Sequence, residues 1–527
     1  HIAFKENSNV QLRIDDPFFG LTKREKKYLK SSWAENFYKN VFSSINEKRF
    51  EVLYSSNPAT RPNTPVNVII GALILKELFR LTDEELMERM LFDILFQHAL
   101  GTTSFEEQPI SDRTLSRFRE RLYNYELTSG RDLLAEEMES LAEIFISFTG
   151  SSKSIRRMDS VMVSSSCKKM SRLELIYTTS MKMVKLLNKE DQDLPQSLIH
   201  YLDEDDANLM LYHRRSEEVD ARLEEVLKEA LYLTHNVPDS LYESLEYRLL
   251  ARVINEQTTQ GPDGRVLKDN KEISPNSLQN PSDPDASFRI KAGKSHKGYV
   301  ANFVETCGGD GPSFITDYDL KANTYSDLNF SKDLIKDLGL QEEELTLIAD
   351  GAYGSQEVKE LARANKINLV TTSLVAKSPD KIKAHFELCS SSKQILLCPG
   401  GHSPIKTSYY EDSGLYRGVF DKKICMACSY KSKCGMKEQK KTSYVMISEK
   451  TVSRAKDLIQ MGEGTYKELA RKRNGIEGIP SVLRRRYGID SLPVRGLLRS
   501  KTWLAFKAMA INVKRLLSSM EKGMEMA

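Results

Sequence analysis

The sequence lacks the long apolar run of a membrane-spanning helix. Its longest apolar run, "VIIGALIL" at residues 68–75, is far shorter than the roughly 20 residues that cross a bilayer, and we interpret it as a buried helix. No positively charged stretch followed by an apolar segment opens the 527-residue chain, so we expect a protein that is not secreted. Apolar residues make up 40% and charged residues 29%, a balance typical of a soluble protein with a large core and several domains.

A strong excess of charge is also absent, since the net charge is only +3, but the charges are segregated along the chain. Residues 466–515 contain thirteen Lys or Arg and three acids, whereas residues 201–250 contain thirteen acids and five basic residues. A single basic run is usually a solvated helix face. Here "RKRNGIEGIPSVLRRRYG" and "VRGLLRSK" bring three basic clusters close together, which favours nucleic acid as a partner.

Cysteine is scarce, with seven in the chain, and four of them fall within 37 residues. In an intracellular protein such clustering indicates metal more often than disulfides. The segments "CPGGH" and "CMACSYKSKC" suit one structural Zn²⁺ in tetrahedral coordination. We favour four thiolate ligands, Cys398, Cys425, Cys428 and Cys434, because an all-thiolate site suits a closed structural zinc. His402 is the alternative ligand, but the Gly-Gly before it lets its side chain point away. We interpret the remaining thiols as structural: Cys167, Cys307 and Cys389.

Residues 1–150 have the pattern of an all-helical region. Thr82 and Glu85 have the spacing of a capping box, and Ser111 is a candidate N-cap for an arginine-rich helix. Two short helices here predict either a helix-turn-helix that places Arg113 and Arg117 on DNA, or an ordinary helical bundle with a charged rim. The pattern alone does not separate these two interpretations.

An α/β order follows the helical region. "SIRRMDSVMVSSS" predicts a strand with Asp159 in its middle, and residues 168–256 return to a helical, acidic pattern. Residues 257–287 are rich in Pro, Gly, Asn and Ser and predict a linker or surface loop. "GYVANFVET" and "PSFITDYDL" predict a hairpin, followed by the strand "ELTLIAD", the helix "SQEVKELARANK" and the strand "INLVTTSL".

Three carboxylates stand out on this framework. Asp159 lies on the first predicted strand, Asp350 ends a later one, and Glu477 lies in the basic helical segment four residues after Arg473. Three such acids at one sheet edge suit two Mg²⁺ ions, which prefer carboxylate, water and phosphate oxygens and promote phosphoryl transfer. The plainer interpretation is that Arg473 and Glu477, at i and i+4, form an ordinary helical ion pair, with Arg484 two turns further along the same face.

The segments "RMDSVMVSSS", "IADGAYGS" and "RKRNGIEGIPSVLRRRYG" resemble, in order, the three acidic motifs of bacterial insertion-sequence transposases of the DDE class. Many of these carry a Tyr-x2-Arg-x3-Glu-x6-Lys signature. Arg473, Glu477 and Arg484 match its last three positions, with Arg in place of Lys, whereas Ala470 stands at the tyrosine position. The segment "SDPDASFRIKAGKSHKGY" is similar to one branch of the family, and the N-terminal helices resemble its region that binds DNA ends.

The resemblance implies an RNase H-like core in which Asp159, Asp350 and Glu477 bind two Mg²⁺ (or Mn²⁺) ions. It implies cleavage at the terminal inverted repeats of the element and then attack by the freed 3′-hydroxyl on target DNA. A homodimer is expected because two ends must be held together. A cytoplasmic, bacterial protein that is associated with the nucleoid when bound, without a membrane partner, is expected too. Six arginines are expected to contact DNA: Arg113, Arg117, Arg473, Arg484, Arg485 and Arg486.

Two other functions stay open at this stage. The first is a catalytically inactive, zinc-containing DNA-binding protein derived from a transposase, and the second is an RNase H-like nuclease without strand transfer. Further polar candidates are Asp283, Asp285 and His296, although a loop acid or a lone histidine is usually only solvated.

The expected fold class is α/β, with a mixed sheet, flanking helices and two insertions. The expected boundaries are a helical DNA-binding region at 1–150, core at 151–167, an acidic helical insertion and linker at 168–287, core at 288–373, a zinc-binding insertion at 374–445, and basic helices completing the core at 446–527.

Overall fold

The computed structural model describes residues 2–7, 20–57, 61–102, 110–212, 216–291, 293–372 and 378–525. Its N-terminal part is helical, as predicted: α1 (Lys23–Lys30), α2 (Trp33–Asn40), α3 (Val66–Phe79), α4 (Asp83–Phe92), α5 (Ile94–Leu100), α6 (Asp112–Ser129) and α7 (Leu133–Thr149). The predicted helix starts are confirmed, because Thr82 and Glu85 form a capping box at α4 and Ser111 caps α6. The apolar run at 68–75 is the buried middle of α3.

The described N-terminal helices favour the bundle over a compact helix-turn-helix. The connection between α5 and α6 runs from Gly101 to Ser111, whereas a helix-turn-helix has a turn of about three or four residues. Helix α6 buries Leu115 and Phe118 against its neighbours. Helix α6 extends over 18 residues, longer than the short helix predicted, and its buried residues, Leu115, Phe118 and Leu122, lie in its first eleven positions.

A first strand and a helical segment follow the N-terminal helices. They consist of β1 (Ser151–Ser164), α8 (Arg172–Lys189), α9 (Asp206–Leu211), α10 (Val219–Asn236), α11 (Leu245–Gln257), β2 (Thr258–Gly261) and β3 (Gly264–Leu267). Helices α8 to α11 share an apolar core of their own, which includes Ile176, Val226 and Leu250. The acidic residues of this segment therefore lie around a packed helical unit.

The linker predicted at 257–287 is wrong in part. Its beginning forms the β2–β3 hairpin, in which Thr258 pairs with Leu267. Its end is packed, because Leu278 and Asp283 are both almost fully buried. Asp283 accepts hydrogen bonds from Tyr299 and from the Gly496 backbone N–H. The end of the segment therefore belongs to the packed protein, although many residues between Thr259 and Asn276 are exposed.

The central sheet contains β1 and five further strands: β4 (Ser287–Lys291), β5 (Lys294–Gly309), β6 (Ile315–Ala322), β7 (Leu345–Asp350) and β8 (Ile367–Thr372). Its order is β4-β5-β1-β7-β8, and β6 also pairs with β5. Strand β1 runs antiparallel to β5 and parallel to β7, and β8 is parallel to β7. The predicted hairpin is confirmed by the pairing of β5 with β6, and the mixed sheet of the predicted fold class is present.

Helices cover both faces of the sheet. Helices α12 (Asp327–Leu338) and α13 (Gln356–Ala364) pack on one face, where Met158 and Leu347 are fully buried. Phe303 and Val163 face the opposite layer, which is built from N-terminal helices and the C-terminal helix. Because β1 is buried on both faces, the polar residues along it must be paired within the protein.

The C-terminal part begins with small strands and ends in helices. It contains β9 (Glu387–Cys389), β10 (Gln394–Leu397), β11 (Lys406–Tyr410), β12 (Leu415–Asp421), α14 (Lys422–Ala427), β13 (Lys437–Glu438), β14 (Thr442–Ser448), α15 (Glu449–Met461), α16 (Glu463–Asn474), α17 (Gly478–Arg485) and α18 (Leu497–Glu525). Strands β11 to β14 form a separate four-stranded sheet in the order β11-β12-β14-β13.

Helix α18 ties the two ends of the chain to the sheet. The Asn512 side chain exchanges two hydrogen bonds with the backbone of Ile315 on β6, at 2.7 and 2.8 Å. Lys507 binds Glu77 on α3 at 2.8 Å, and both side chains are buried. Within the described ranges, no helix combines the length and apolar character needed to cross a membrane.

Candidate active site

Asp159 and Asp350 occupy matching positions on neighbouring parallel strands. The last pair of residues that aligns β1 with β7 is Arg157 with Ile348, and each acid lies two residues beyond it. Asp350 ends β7 and accepts a hydrogen bond from the backbone N–H of Gly351, where a 3-10 turn begins. The alignment places both carboxylates at the same level of the sheet, where β7 ends while β1 continues alongside β5 to Ser164.

Arg473 joins Asp159 to Glu477. Its guanidinium is 3.3 Å from a carboxylate oxygen of Asp159 and 3.1 Å from one of Glu477. The Arg473 side chain is only 2% exposed, whereas that of Glu477 is 57% exposed. The predicted i, i+4 ion pair therefore exists, and it also reaches the first strand of the core.

The approach of the C-terminal helices to β1 depends on Arg157 and Gly475. Arg157 binds the buried carboxylate of Glu305 at 2.7 Å and donates to the Lys472 carbonyl, at the end of α16. A methyl group added at Gly475 would lie 2.1 Å from an Nη atom of Arg157. The absence of a side chain at Gly475 therefore lets Arg157 hold the end of α16 against the sheet, next to Glu477.

Burial and neighbouring charges act in opposite directions on Asp159. Burial raises the pKa of its carboxyl above the usual range, and the Arg473 guanidinium opposes that rise. Asp327, at the start of α12, adds a further negative charge close to Asp159. Ser160 connects the two acids, because its N–H donates to Asp159 at 2.9 Å and its hydroxyl donates to Asp327 at 2.8 Å.

A buried tyrosine completes this side of the site. The Tyr353 hydroxyl donates to Asn302 on β5 at 2.8 Å, and both residues are almost fully buried. Burial raises the pKa of Tyr353 well above its ordinary value, and the negative charges of Asp327 and Asp159 add to that effect. The tyrosine is therefore a neutral hydrogen-bond donor that fixes the turn after Asp350.

Sequence reasoning did not single out Asp327, Arg157 or Tyr353. The only signals available were an Asp directly after Ser326, an Arg two residues before Asp159, and a Tyr in "GAYG". Each of these is common in unrelated contexts. Their roles depend on contacts across the sheet, between residues more than a hundred positions apart in the case of Ser160 and Asp327.

The carboxylate donors suit a hard divalent cation, but they are not gathered around a common point. Among the residues that the structure describes, no group of three or more His, Cys, Asp or Glu side chains is placed to hold a metal ion. For Asp159 and Glu477 the reason is visible, since the Arg473 guanidinium lies between them. A cation that entered this site would take over part of the charge balance that Arg473 now provides.

Basic side chains surround the candidate site. His296, on the β4–β5 hairpin, has its pKa lowered by burial and by the nearby charges of Arg484, Lys169 and Lys291. Lys291 also acts on Asp159. This group of cations forms a positive surface beside the first acid.

Of the two other polar candidates, Asp283 is buried and Asp285 accepts from the Leu497 N–H, so both hold the start of α18.

The arginines predicted to contact DNA differ in their environments. Arg484 is partly exposed and binds Asp490 and the Met162 carbonyl, each at 3.2 Å. Arg486 is half-buried and donates to the Leu78 carbonyl, so its guanidinium is held by α3. Arg485 is exposed, as are Arg113 and Arg117 on α6. Burial therefore makes Arg473 and Arg486 structural residues in this arrangement, while the other arginines can reach a ligand.

The clustered cysteines surround one small cavity of about 20 Å³, together with His402. Burial raises the pKa values of the Cys425 and Cys434 thiols, and the neighbouring thiols raise them further. A methyl group added at Gly400 would lie 3.2 Å from Cys428 Sγ and 3.7 Å from Cys398 Sγ. The tertiary structure thus brings the four predicted thiols to one cavity, although among the described residues no group of three or more is placed to hold a metal ion.

The three remaining thiols have no such common centre. All seven cysteines are free, including Cys167, Cys307 and Cys389. Burial raises the pKa of Cys307 to about 11, whereas hydrogen bonds from Ser391 and Ser392 lower that of Cys389 to about 7.

Comparison with known protein families gives two matches. Residues 397–517 match the family described as "Transposase DDE domain", and residues 27–121 match "Transposase domain (DUF772)". The first range contains Glu477, Arg473 and the clustered cysteines, and the second contains Arg113 and Arg117. No curated protein and no solved structure matches the chain. The two family matches support an insertion-sequence DDE transposase.

Proposed function

We propose that this transposase cleaves the terminal inverted repeats of its element and joins the freed 3′-hydroxyl ends to target DNA by metal-dependent phosphoryl transfer. The observation that carries the proposal is the meeting of Asp159 and Glu477 on one guanidinium, with Asp350 at the matching position of the neighbouring strand. This contact links residues 318 positions apart in sequence, which supports the site that the resemblance implies.

We also propose that the sheet is an RNase H-like core. Its support is the strand order, in which an antiparallel β6-β5-β1 unit continues into the parallel strands β7 and β8. Helices lie on both faces, and the acids lie on β1, at the end of β7 and after α16. In this interpretation α8 to α11 and the β9–β14 segment are insertions into the core.

Asp159, Asp350 and Glu477 are the residues that would hold two Mg²⁺ or Mn²⁺ ions. When bound, such ions activate the attacking oxygen and stabilise the leaving oxygen of an in-line displacement. The side chains of this protein would supply the surroundings. Arg473 would keep Asp159 ionised against its raised pKa, and Arg157 would hold the end of α16 so that Glu477 faces the sheet edge.

The zinc site is a proposal of the same kind. Cys398, Cys425, Cys428 and Cys434 would bind one structural Zn²⁺, with His402 as the alternative ligand. The support is the shared cavity and the mutual electrostatic influence of the thiols. The thiols would lose their protons on binding, and the positive ion would offset the repulsion between the thiolates. Binding would thereby order the loops around β12 and α14.

DNA is the expected partner of the positive surface around His296 and of Arg485, Arg113 and Arg117. A homodimer is proposed from the chemistry, because two transposon ends must be held in one complex. The alternatives remain a catalytically inactive DNA-binding protein and a nuclease without strand transfer. All three acids are present, with Asp350 aligned to Asp159 and Glu477 linked to Asp159 through Arg473, and this favours an active enzyme.

The test is an in vitro reaction with duplexes that carry the DNA flanking the gene, a supercoiled target plasmid and Mg²⁺. We expect cleaved ends that become joined to the plasmid. Asp350→Asn and Glu477→Gln should each reduce cleavage by at least about a thousand-fold, as loss of a group essential to catalysis does, while end binding persists. Glu224→Gln, at an exposed acid of α10, is the matched control.

Each outcome selects one function. Cut but unjoined ends would indicate a nuclease, and binding without cutting would indicate an inactive derivative. An amide variant that cuts at the parental rate would remove that residue from the catalytic set.

A further inference from the structure

Two cations, Lys450 and Arg454, lie beside the turn that follows Asp350. Lys450 and Arg454 are one turn apart on α15, so they project from the same face of that helix. A methyl group added at Gly351, directly after Asp350, would lie 2.2 Å from an Nη atom of Arg454 and 3.9 Å from Cδ of Lys450. The guanidinium of Arg454 therefore packs against the backbone of the turn that carries the catalytic acid.

Neither cation is neutralised within the described part of the chain. Arg454 is half-buried, its Nε is buried without a hydrogen-bond acceptor, and neither side chain forms an ion pair among the described residues. The nearby acids are already engaged. Asp457 binds Lys359 at 2.8 Å, and Glu449 accepts from Ser390 and Tyr416. A partly buried guanidinium without an acidic partner is available to bind an anion, which would offset part of the cost of burying its charge.

Lys450 of this pair also lines an open cleft. This cleft, of about 650 Å³, separates the end of the sheet and the start of α13 from the small β11–β14 sheet. Lys450 lines it together with Lys359, Lys456 and Tyr409. Its cations outnumber its acids, with Glu449 as the acid on its wall. A negatively charged chain in the cleft would therefore contact Lys450, whose neighbour on the same helix face, Arg454, reaches the backbone of Gly351.

We propose that Lys450 and Arg454 form a phosphate-binding site that grips the DNA backbone next to the scissile phosphate. This inference rests on the proposed function, since it assigns the cleft beside Asp350 as the path of the cleaved strand. Arg454 donates from its partly buried guanidinium to a non-bridging phosphate oxygen, and Lys450 neutralises the same or the adjacent phosphate. Contacts of this kind set the position of the strand without reading its sequence.

Gly351 gains a defined role in this arrangement. Its backbone φ is not in the left-handed region, so alanine is compatible with the local conformation. The substitution would instead push the flexible end of Arg454 out of its place. Gly351→Ala therefore displaces the guanidinium of Arg454 without changing the charge of the protein. The variant tests whether the position of Arg454 matters as well as its charge.

The binding experiment uses a labelled duplex of mixed sequence and measures affinity over a range of salt concentrations for Arg454→Gln, Lys450→Gln and the double variant. Each lost phosphate contact should flatten the plot of log affinity against log salt by about 0.9. Lys228→Gln, which removes an exposed cation from α10, is the charge-matched control. Arg454→Lys should keep most of the slope, because the charge remains.

The cleavage experiment uses the DNA that flanks the gene, with Mg²⁺. Arg454→Gln and Gly351→Ala should both slow cleavage at least about ten-fold when a phosphate contact is lost or displaced, whereas Lys228→Gln should cut at the parental rate. If Arg454→Gln does not fold, the exposed Lys450→Gln still tests the site through the salt slope.

If the double variant of Lys450 and Arg454 has the same salt slope and cleavage rate as Lys228→Gln, the proposed phosphate-binding site is wrong. A parental protein that never cuts DNA overturns the proposed function instead, and the salt slopes then still decide whether these two cations contact phosphate.

Discussion

The guanidinium of Arg473 lies 3.3 Å from the carboxylate of Asp159, although 314 residues separate them in the chain. The same guanidinium holds Glu477 at 3.1 Å. This one buried side chain therefore links the first strand of the sheet to the helical segment that follows α16. The ion pair is structural in the form described, and it keeps two carboxylates close where each would otherwise repel the other.

Arg473→Gln should destabilise the protein. Arg473 is 2% exposed and its removal would leave the partly buried Asp159 without its cation, at a cost of about 1–3 kcal/mol in the free energy of unfolding. Urea unfolding would measure the change, with Arg471→Gln as the control at a neighbouring exposed arginine. Adding Asp159→Asn should recover part of the loss, because the unpaired charge is then gone. Unfolding at the parental urea concentration would show that the pair contributes nothing.

Arg485 and Arg486 should respond differently to the same substitution. Arg485→Gln removes an exposed cation and should flatten the salt dependence of DNA affinity by about 0.9 per phosphate contact. Arg486→Gln should instead lower the melting temperature, because it removes the donor to the Leu78 carbonyl at the end of α3. Salt titrations and thermal unfolding of both variants test this assignment. Equal salt slopes in Arg485→Gln and the parent would move the DNA path towards the N-terminal helices.

Zinc should be present in protein purified without chelators, and it should be lost when a thiol ligand is replaced. Cys425→Ser and Cys428→Ser should each lose the metal and unfold the β11–β14 segment at lower temperature, because structural zinc supplies folding free energy directly. Elemental analysis and thermal unfolding would show both effects, with Cys307→Ser as a control outside the cluster.

The fourth zinc ligand is decided by a second pair of variants. Full zinc in Cys398→Ser together with loss of zinc in His402→Ala would replace Cys398 by His402 in the site. Absence of zinc from the parental protein would remove the zinc proposal.

Glu137 should make stability fall as pH rises. It is fully buried between Arg49 and the Asn46 N–H, and burial raises its pKa to about 7. Because the pKa of Glu137 is higher in the folded state, its contribution to the free energy of unfolding is complete below the pKa of the unfolded state, near 4.5. That contribution is lost as pH rises through about 7. The loss is of the order of 3 kcal/mol, at 1.36 kcal/mol for each pKa unit.

The measurement compares urea unfolding of the parent and Glu137→Gln across this pH range. The difference between the two should shift steadily in favour of the Gln variant as pH rises, since an amide does not ionise. Glu136→Gln, at the neighbouring and more exposed acid, should track the parent. A difference between the parent and Glu137→Gln that does not change with pH would show that Glu137 is charged throughout.

Local patterns in the sequence determined most of the secondary structure. The capping box at Thr82, the alternation around Asp159 and the strand that ends at Asp350 depend on neighbours a few residues away, and these features are present as predicted. The acidic motifs could be ordered along the chain for the same reason. Register between strands and the length of α6 depend on packing against distant residues, so periodicity alone did not decide between a bundle and a helix-turn-helix.

Only the tertiary structure decided which charges meet. Arg473 and Arg486 look equivalent in a basic segment, yet burial assigns one to Asp159 and the other to a helix end. The sequence pattern predicted Asp283 to be a solvated loop acid. In the structure it contacts Gly496, which lies 213 residues further along the chain. Lys450 and Arg454 carried no signal at all, because their relation to Gly351 exists only once α15 packs beside β7. Pairing of charges is set by distance in space, which a linear pattern of residue types does not contain.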